Sequence, residues 1–208
     1  MKNILIVGEE QSGKTTLMER LVHDLSPKRG FLTKETSERL SVDDKGEVVN
    51  DNDGVKIERV NYFIRPFFAG RFQDEVELGY VDFLGDDVLR AVQNYTKLSP
   101  MIKSLMGKRN GDITFADEIT LMDGYVNFPP FYELTNKFLN EGLTFIGTIS
   151  PCSELKASSL PKSIATVLEA RPEGVGDTKR FELTKFNRDE IYREVMSLVP
   201  NRYKAAAW

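Results

Sequence analysis

Gly8-Glu9-Glu10-Gln11-Ser12-Gly13-Lys14-Thr15 reads G-x-x-x-x-G-K-T, a spacing whose chemistry is the gripping of a polyphosphate. The backbone N–H groups of such a loop form an anion-binding concavity, and a helix behind it favours negative charge at its N-terminus. Gly8 and Gly13 allow a backbone path that a side chain would obstruct. Gly8 through Thr16 are therefore the expected nucleotide contacts: Gly8, Glu9, Glu10, Gln11, Ser12, Gly13, Lys14, Thr15 and Thr16. Lys14 is expected on the β- and γ-phosphates, and the Thr15 hydroxyl on a magnesium ion. Glu9 and Glu10 are unusual inside such a loop, since each carboxylate at about 4 Å from a phosphate in solvent would repel it by roughly 1 kcal/mol. They are expected to point outward.

Asp117-Glu118, at the end of the apolar strand expected over Asp112–Asp117, could complete a hydrolysis site. An aspartate at a strand end can hold magnesium opposite Thr15, usually through water. The adjacent glutamate can orient or deprotonate a water aimed at the γ-phosphate. Thr148 or Ser150, closing the next strand, would then lie close enough to act as a polar sensor of that phosphate.

These residues need a scaffold. Asn3–Val7 is the short apolar run of a buried parallel strand. Leu17, Leu21 and Leu25 share one helical face, so a helix is expected from about Gly13 to Leu25, ended by Ser26-Pro27-Lys28-Arg29-Gly30. Phe31–Thr36, Asp112–Asp117, Leu143–Ile149 and Lys179–Leu183 read as strands; residues 86–99, 129–140, 159–169 and 187–198 read as helices. Between about Arg39 and Arg71, Asp43-Asp44-Lys45-Gly46 and Asp51-Asn52-Asp53-Gly54 mark turns between alternating segments, a run of hairpins. The expected fold is α/β: a mostly parallel sheet with helices on both faces and a hairpin-rich embellishment. One domain over residues 1–203, with an insertion at about 39–71 and a tail at 204–208, accounts for the length of 208. The wide gap between Lys14 and Asp117 leaves room for another strand between the two motif strands, as in the glutamate-using, RecA-like branch of phosphate-loop proteins.

Composition narrows the partners. A hydrophobic content of 40% and a charged content of 29% describe an ordinary globular chain. The net charge of −4 weighs against a nucleic-acid surface. One cysteine, Cys152, has no partner for an internal disulfide, which fits a reducing cytoplasm. No run is long and apolar enough to span a membrane, and Met1-Lys2-Asn3 leads straight into the first strand without a signal peptide.

Gly13-Lys14-Thr15-Thr16-Leu17, Gly30-Phe31-Leu32-Thr33-Lys34-Glu35, Asp117-Glu118-Ile119, Gly147-Thr148-Ile149 and Asn187-Arg188-Asp189 occur in an order that resembles the cancer-related, thermophile-type nucleoside-triphosphatase family. The resemblance covers about Met1–Thr36 and Asp112–Leu198 and fades in the hairpin-rich middle. It implies a RecA-like P-loop NTPase fold and magnesium-dependent hydrolysis of ATP or other nucleoside triphosphates to diphosphate and phosphate. Asn187 and Arg188 become candidates for base or ribose contact, with Arg188 also a candidate to neutralise transition-state charge beside Arg65, Arg71, Arg171 and Arg180. Alternatively, Asn187 simply caps the last helix. The chain departs from the family at Thr120-Leu121-Met122-Asp123, where the family carries Gly-Lys-Met-Glu and a phosphate-facing cation.

Two competing activities use the same loop: a kinase whose acceptor pocket is shaped by Phe67-Phe68 and Arg71, and a nucleotide-binding module with weak turnover. Other motifs fail on their own chemistry. Asp82-Phe83-Leu84-Gly85 has the D-x-x-G form of a GTPase switch, but Asn136-Lys137 is followed by Leu139 where a guanine-reading aspartate is required. Aligning Asp51–Gly54 to a calcium loop leaves Val49 and Val60 at ligand positions. Cys152 and His23 have no catalytic partner in view, and His23 falls on the first helix.

Overall fold

The computed structural model describes residues 3–9, 11–26, 28–50, 53–68, 71–94, 113–118, 144–149 and 177–204. Strand β1 (Asn3–Gly8) is followed by helix α1 (Lys14–Asp24), with Gly13 at its N-cap in the left-handed region (φ 92°). The strands that follow are β2 (Lys28–Val42), β3 (Val48–Val49), β4 (Val55–Phe68), β5 (Arg71–Phe72), β6 (Val76–Leu84), β7 (Asp87–Gln93), β8 (Ile113–Ala116), β9 (Thr144–Ile149) and β10 (Thr178–Leu183). Helix α2 (Arg188–Leu198) and a 3₁₀ turn (Asn201–Tyr203) close the described chain.

All the described strands join one sheet in the order β10-β1-β9-β8-β2-β4-β6-β7, with β3 beside β2 and β5 beside β4. The expected mostly parallel sheet is in fact mixed. Pairs among β10, β1, β9, β8 and β2 are parallel, whereas β2-β4, β4-β6 and β6-β7 are antiparallel. The reason lies in β2, which runs well beyond the expected Phe31–Thr36. It pairs continuously with β4 from Arg29↔Phe68 to Val42↔Val55. The hairpins are thus an extension of a central strand, and they carry the sheet outward as an antiparallel wing.

Residues 86–99, expected as a helix, are corrected to a strand over the part described, for β7 pairs antiparallel with β6. A two-residue connection, Gly85-Asp86, joins Leu84 to its partner Asp87, and Gly85 takes φ 61°. Primed turns of this length match strand twist, so a local turn overrides the helical spacing of Val88, Leu89 and Val92. The helices expected at 129–140 and 159–169 lie outside the described residues.

Ile4 and Ile6 on β1 pack with Leu17, Met18, Leu21 and Val22 of α1 and Ile191 and Val195 of α2. Leu5 and Val7 point to the other face and are buried as well. Burial on both faces explains the unbroken apolar run of β1. Among the described residues, no helix is long and apolar enough to cross a membrane.

Candidate functional site

β9 lies between β1 and β8, so one strand separates the glycine-loop strand from the strand ending at Asp117. One strand between the two motif strands is as expected, but β9 follows Asp117 in the sequence and is not drawn from the gap between Lys14 and Asp117. Parallel pairing puts the C-terminal ends of β1, β8 and β9 on the same edge of the sheet, where open α/β sheets bind ligands.

The loop leaves β1 at Gly8 and is closed by the Ser12 amide donating to the Glu9 carbonyl at 3.1 Å. Gln11 adopts φ 59° and Gly13 φ 92°, left-handed turns that fold the chain back onto the start of α1. A Cβ at Gly13 would be strained there and would also collide with the Arg188 guanidinium. Lys14 is nearly buried, its Nζ donating to Gly8 O at 2.8 Å and Glu9 O at 3.0 Å. The same ammonium lies 3.5 Å from Glu118 Oε2. Glu9 is exposed, as expected, while Glu10 lies outside the described residues.

Asp117 is completely buried and sits at the centre of a polar cluster. Its Oδ2 accepts from Thr15 Oγ1 at 2.9 Å, from the Thr33 amide at 3.1 Å and from Thr33 Oγ1 at 3.0 Å. Its Oδ1 accepts from Thr148 Oγ1 at 2.6 Å. A buried carboxylate is tolerable only when hydrogen-bonded in this way. Thr148, expected as a phosphate sensor, bonds the acidic pair, for its oxygen also accepts from the Glu118 amide at 2.7 Å. Ser150 lies outside the described residues. Glu118 itself takes φ 50°, an uncommon conformation for a non-glycine residue that is held here by its neighbours.

Thr33 is the site residue that residue chemistry alone did not single out. It is visible in hindsight as the polar end of the buried stretch of β2, Lys28–Thr33, which pairs in parallel with β8 up to Phe31↔Ala116. Gly30 permits that approach, since a Cβ there would run into the Phe115 backbone and side chain.

The cluster fits a magnesium ion by the chemistry of its donors. Thr15 gives its one O–H to Asp117, leaving hydroxyl lone pairs for a hard cation. Asp117 and Glu118 set two negative charges against the one of Lys14. Among the described residues no group of three or more His, Cys, Asp and Glu side chains could hold a metal alone. The remaining ligands would be phosphate oxygens and water, as is usual for magnesium.

Of the arginine candidates, Arg188 alone among the described residues reaches the loop, where Nη2 donates to Ser12 O at 3.4 Å. Arg65 lies over the Phe72 ring, Arg71 is exposed on β5 and Arg180 pairs with Glu182; Arg171 lies outside the described residues. Asn187 stands at the N-cap of α2, but its side chain makes no capping bond. It accepts from the Thr184 amide at 2.7 Å and donates to Glu182 O at 2.9 Å. The capping reading is therefore corrected: the amide braces the β10–α2 turn. Phe67, expected at an acceptor pocket, is buried in the core with its ring edge-to-face against Phe72 and Phe115. Asp82 of the D-x-x-G run forms a two-pronged pair with Arg59 in the wing, at 2.7 and 2.9 Å. His23 lies exposed on α1 beside Asp24.

No family model and no curated protein matches the sequence. Two solved structures do share its fold. The solution structure of a human cancer-related nucleoside triphosphatase superposes with a TM-score of 0.57 at 16% identity, covering 95% of this chain and 96% of that one. The crystal structure of THEP1 from the hyperthermophile Aquifex aeolicus superposes with a TM-score of 0.57 at 18% identity, covering 96% of this chain and 99% of that one. The match is not confined to the two ends of the sequence. The chain thus resembles the cancer-related, thermophile-type nucleoside triphosphatases in fold over nearly its whole length.

Proposed function

We propose that this chain is a magnesium-dependent nucleoside-triphosphate phosphohydrolase. The observation that carries the reading is the meeting of Thr15 with Asp117 and of Lys14 with Glu118, residues more than a hundred positions apart. Lys14 and the loop amides bind and neutralise the phosphates. Thr15 and Asp117 would hold the magnesium ion, which would supply further charge neutralisation at the phosphates. Glu118 serves as the base. A water oxygen bonds to the γ-phosphorus, the bond from that phosphorus to the β–γ bridging oxygen breaks, and the water proton passes to Glu118. Products are nucleoside diphosphate and inorganic phosphate. The left-handed backbone at Glu118, fixed by Thr148, orients the carboxylate toward Lys14 before any substrate arrives.

The test is phosphate release from the four common triphosphates by the wild type, Lys14→Ala and Glu118→Gln. Release should fall by at least about 100-fold in both variants, as expected when a positioned base or phosphate cation is lost. Equal release by all three proteins rejects the mechanism. Acceptor-dependent product with ATP would indicate a kinase, although burial of Phe67 removes one wall of the pocket that reading requires.

A further inference from the structure

Phe186 is 98% exposed, whereas no other large hydrophobic side chain among the described residues with substantial exposure exceeds 55%. Isolated surface apolar residues are ordinary. This one is different because it stands on a turn braced by hydrogen bonds and joined at both ends to the candidate site. The Phe186 amide donates to Thr184 Oγ1 at 3.3 Å, and Asn187 clamps the same turn through Thr184 N and Glu182 O. Both ends of the turn are fastened to the phosphate loop. Leu183 pairs with Gly8 in the sheet, and Arg188 lies against Gly13 and Ser12. Chain geometry keeps Phe186 within about 7 Å of Arg188 and about 11 Å of Leu183, Cα to Cα. The buried Arg188 Nε has no hydrogen-bond partner among the described residues, a donor that a ribose or phosphate oxygen could satisfy.

We propose that Phe186 is the stacking platform for the base of a nucleotide whose phosphates occupy the Gly8–Thr15 loop. The proposal rests on reading that loop as a phosphate site. A planar base laid on the ring removes apolar surface from water on both partners, and stacking of this kind accepts any base because each has a π-face. The larger purines cover more of the ring than pyrimidines do. Binding should therefore favour ADP over CDP, through contact area and not through hydrogen-bond reading.

Titration calorimetry on the full chain with magnesium tests this without requiring turnover, using ADP, CDP and base-less pyrophosphate. Phe186→Ala should weaken ADP by about 5- to 100-fold, the effect of losing one aromatic stack. Its pyrophosphate affinity should stay within twofold of the wild type and the ADP-over-CDP preference should flatten. Phe186→Trp should restore both. An ADP affinity unchanged in Phe186→Ala overturns the platform, as does an equal loss of ADP and pyrophosphate. A wild type that binds pyrophosphate but ADP no more tightly overturns the platform alone, leaving the phosphate site standing. A wild type that binds neither overturns both.

Discussion

Thr148→Val replaces a completely buried hydroxyl by a methyl of nearly the same shape. Two hydrogen bonds disappear, the 2.6 Å donation to Asp117 Oδ1 and the 2.7 Å acceptance from the Glu118 amide. A hydrogen bond to a charged group contributes about 1.5–3 kcal/mol, and a buried amide deprived of its acceptor costs about 1–3 kcal/mol. The two share one oxygen and are not additive, so a total near 3 kcal/mol is expected. For a chain of 208 residues that lowers the melting temperature by about 6–12 °C. Thr148→Ser keeps the hydroxyl and loses only a methyl, at about 1 kcal/mol. The pair separates polar from packing effects in denaturant unfolding monitored by circular dichroism. Phosphate release adds an independent reading. With the Glu118 amide released, the base loses its aim, so kcat should drop about 10- to 100-fold in Thr148→Val while KM, set by the loop, changes little. Thr148→Ser should retain most of kcat. A valine variant as stable as the serine variant, with kcat unchanged, would refute the claim that Thr148 positions the acidic pair.

Three further outcomes follow from named contacts. Gly13→Ala should destabilise the chain by about 1–2 kcal/mol through its left-handed φ and abolish phosphate release; adding Arg188→Ala should relieve only the collision, which urea titration of single and double variants will show. Asp82→Ala strands the Arg59 guanidinium, whose side chain is 15% exposed, and should cost about 3–5 kcal/mol in unfolding experiments while leaving the kcat of the folded protein unchanged; a GTPase-like switch role for Asp82 would instead reduce kcat. Burial pushes the Asp24 carboxyl up, but hydrogen bonds from Tyr192 (2.6 Å) and His23 outweigh it and hold the group below the usual aspartate range. A depressed carboxylate stabilises the fold above its unfolded pKa and loses that contribution as pH falls. Tyr192→Phe should therefore cost about 1 kcal/mol at pH 7, with the gap from the wild type closing below about pH 4, measured by denaturant melts across pH.

The phosphate loop, its strand and its helix were legible in the residues because each is local. Apolar runs, glycines at fixed offsets and a 3.6-residue period are set within twenty positions of one another. Asp117-Glu118 was legible as a strand-end pair for the same reason. What tertiary structure decided is everything that depends on which strands become neighbours. The order β1-β9-β8-β2 brings Thr148 and Thr33 onto Asp117; Thr148 was marked by its place near a strand end, but Thr33 carries no local mark distinguishing it from a threonine that merely fills a strand. The continuous β2–β4 pairing turned a mostly parallel sheet into a mixed one, and a two-residue turn made β7 a strand against its helical spacing. Likewise, the packing of α2 against α1 laid Arg188 over Gly13 and turned Asn187 from capping to bracing. Local pattern specifies the elements that bind phosphate. Long-range strand pairing and helix packing, whose energies are summed over partners distant in sequence, specify how those elements are aimed.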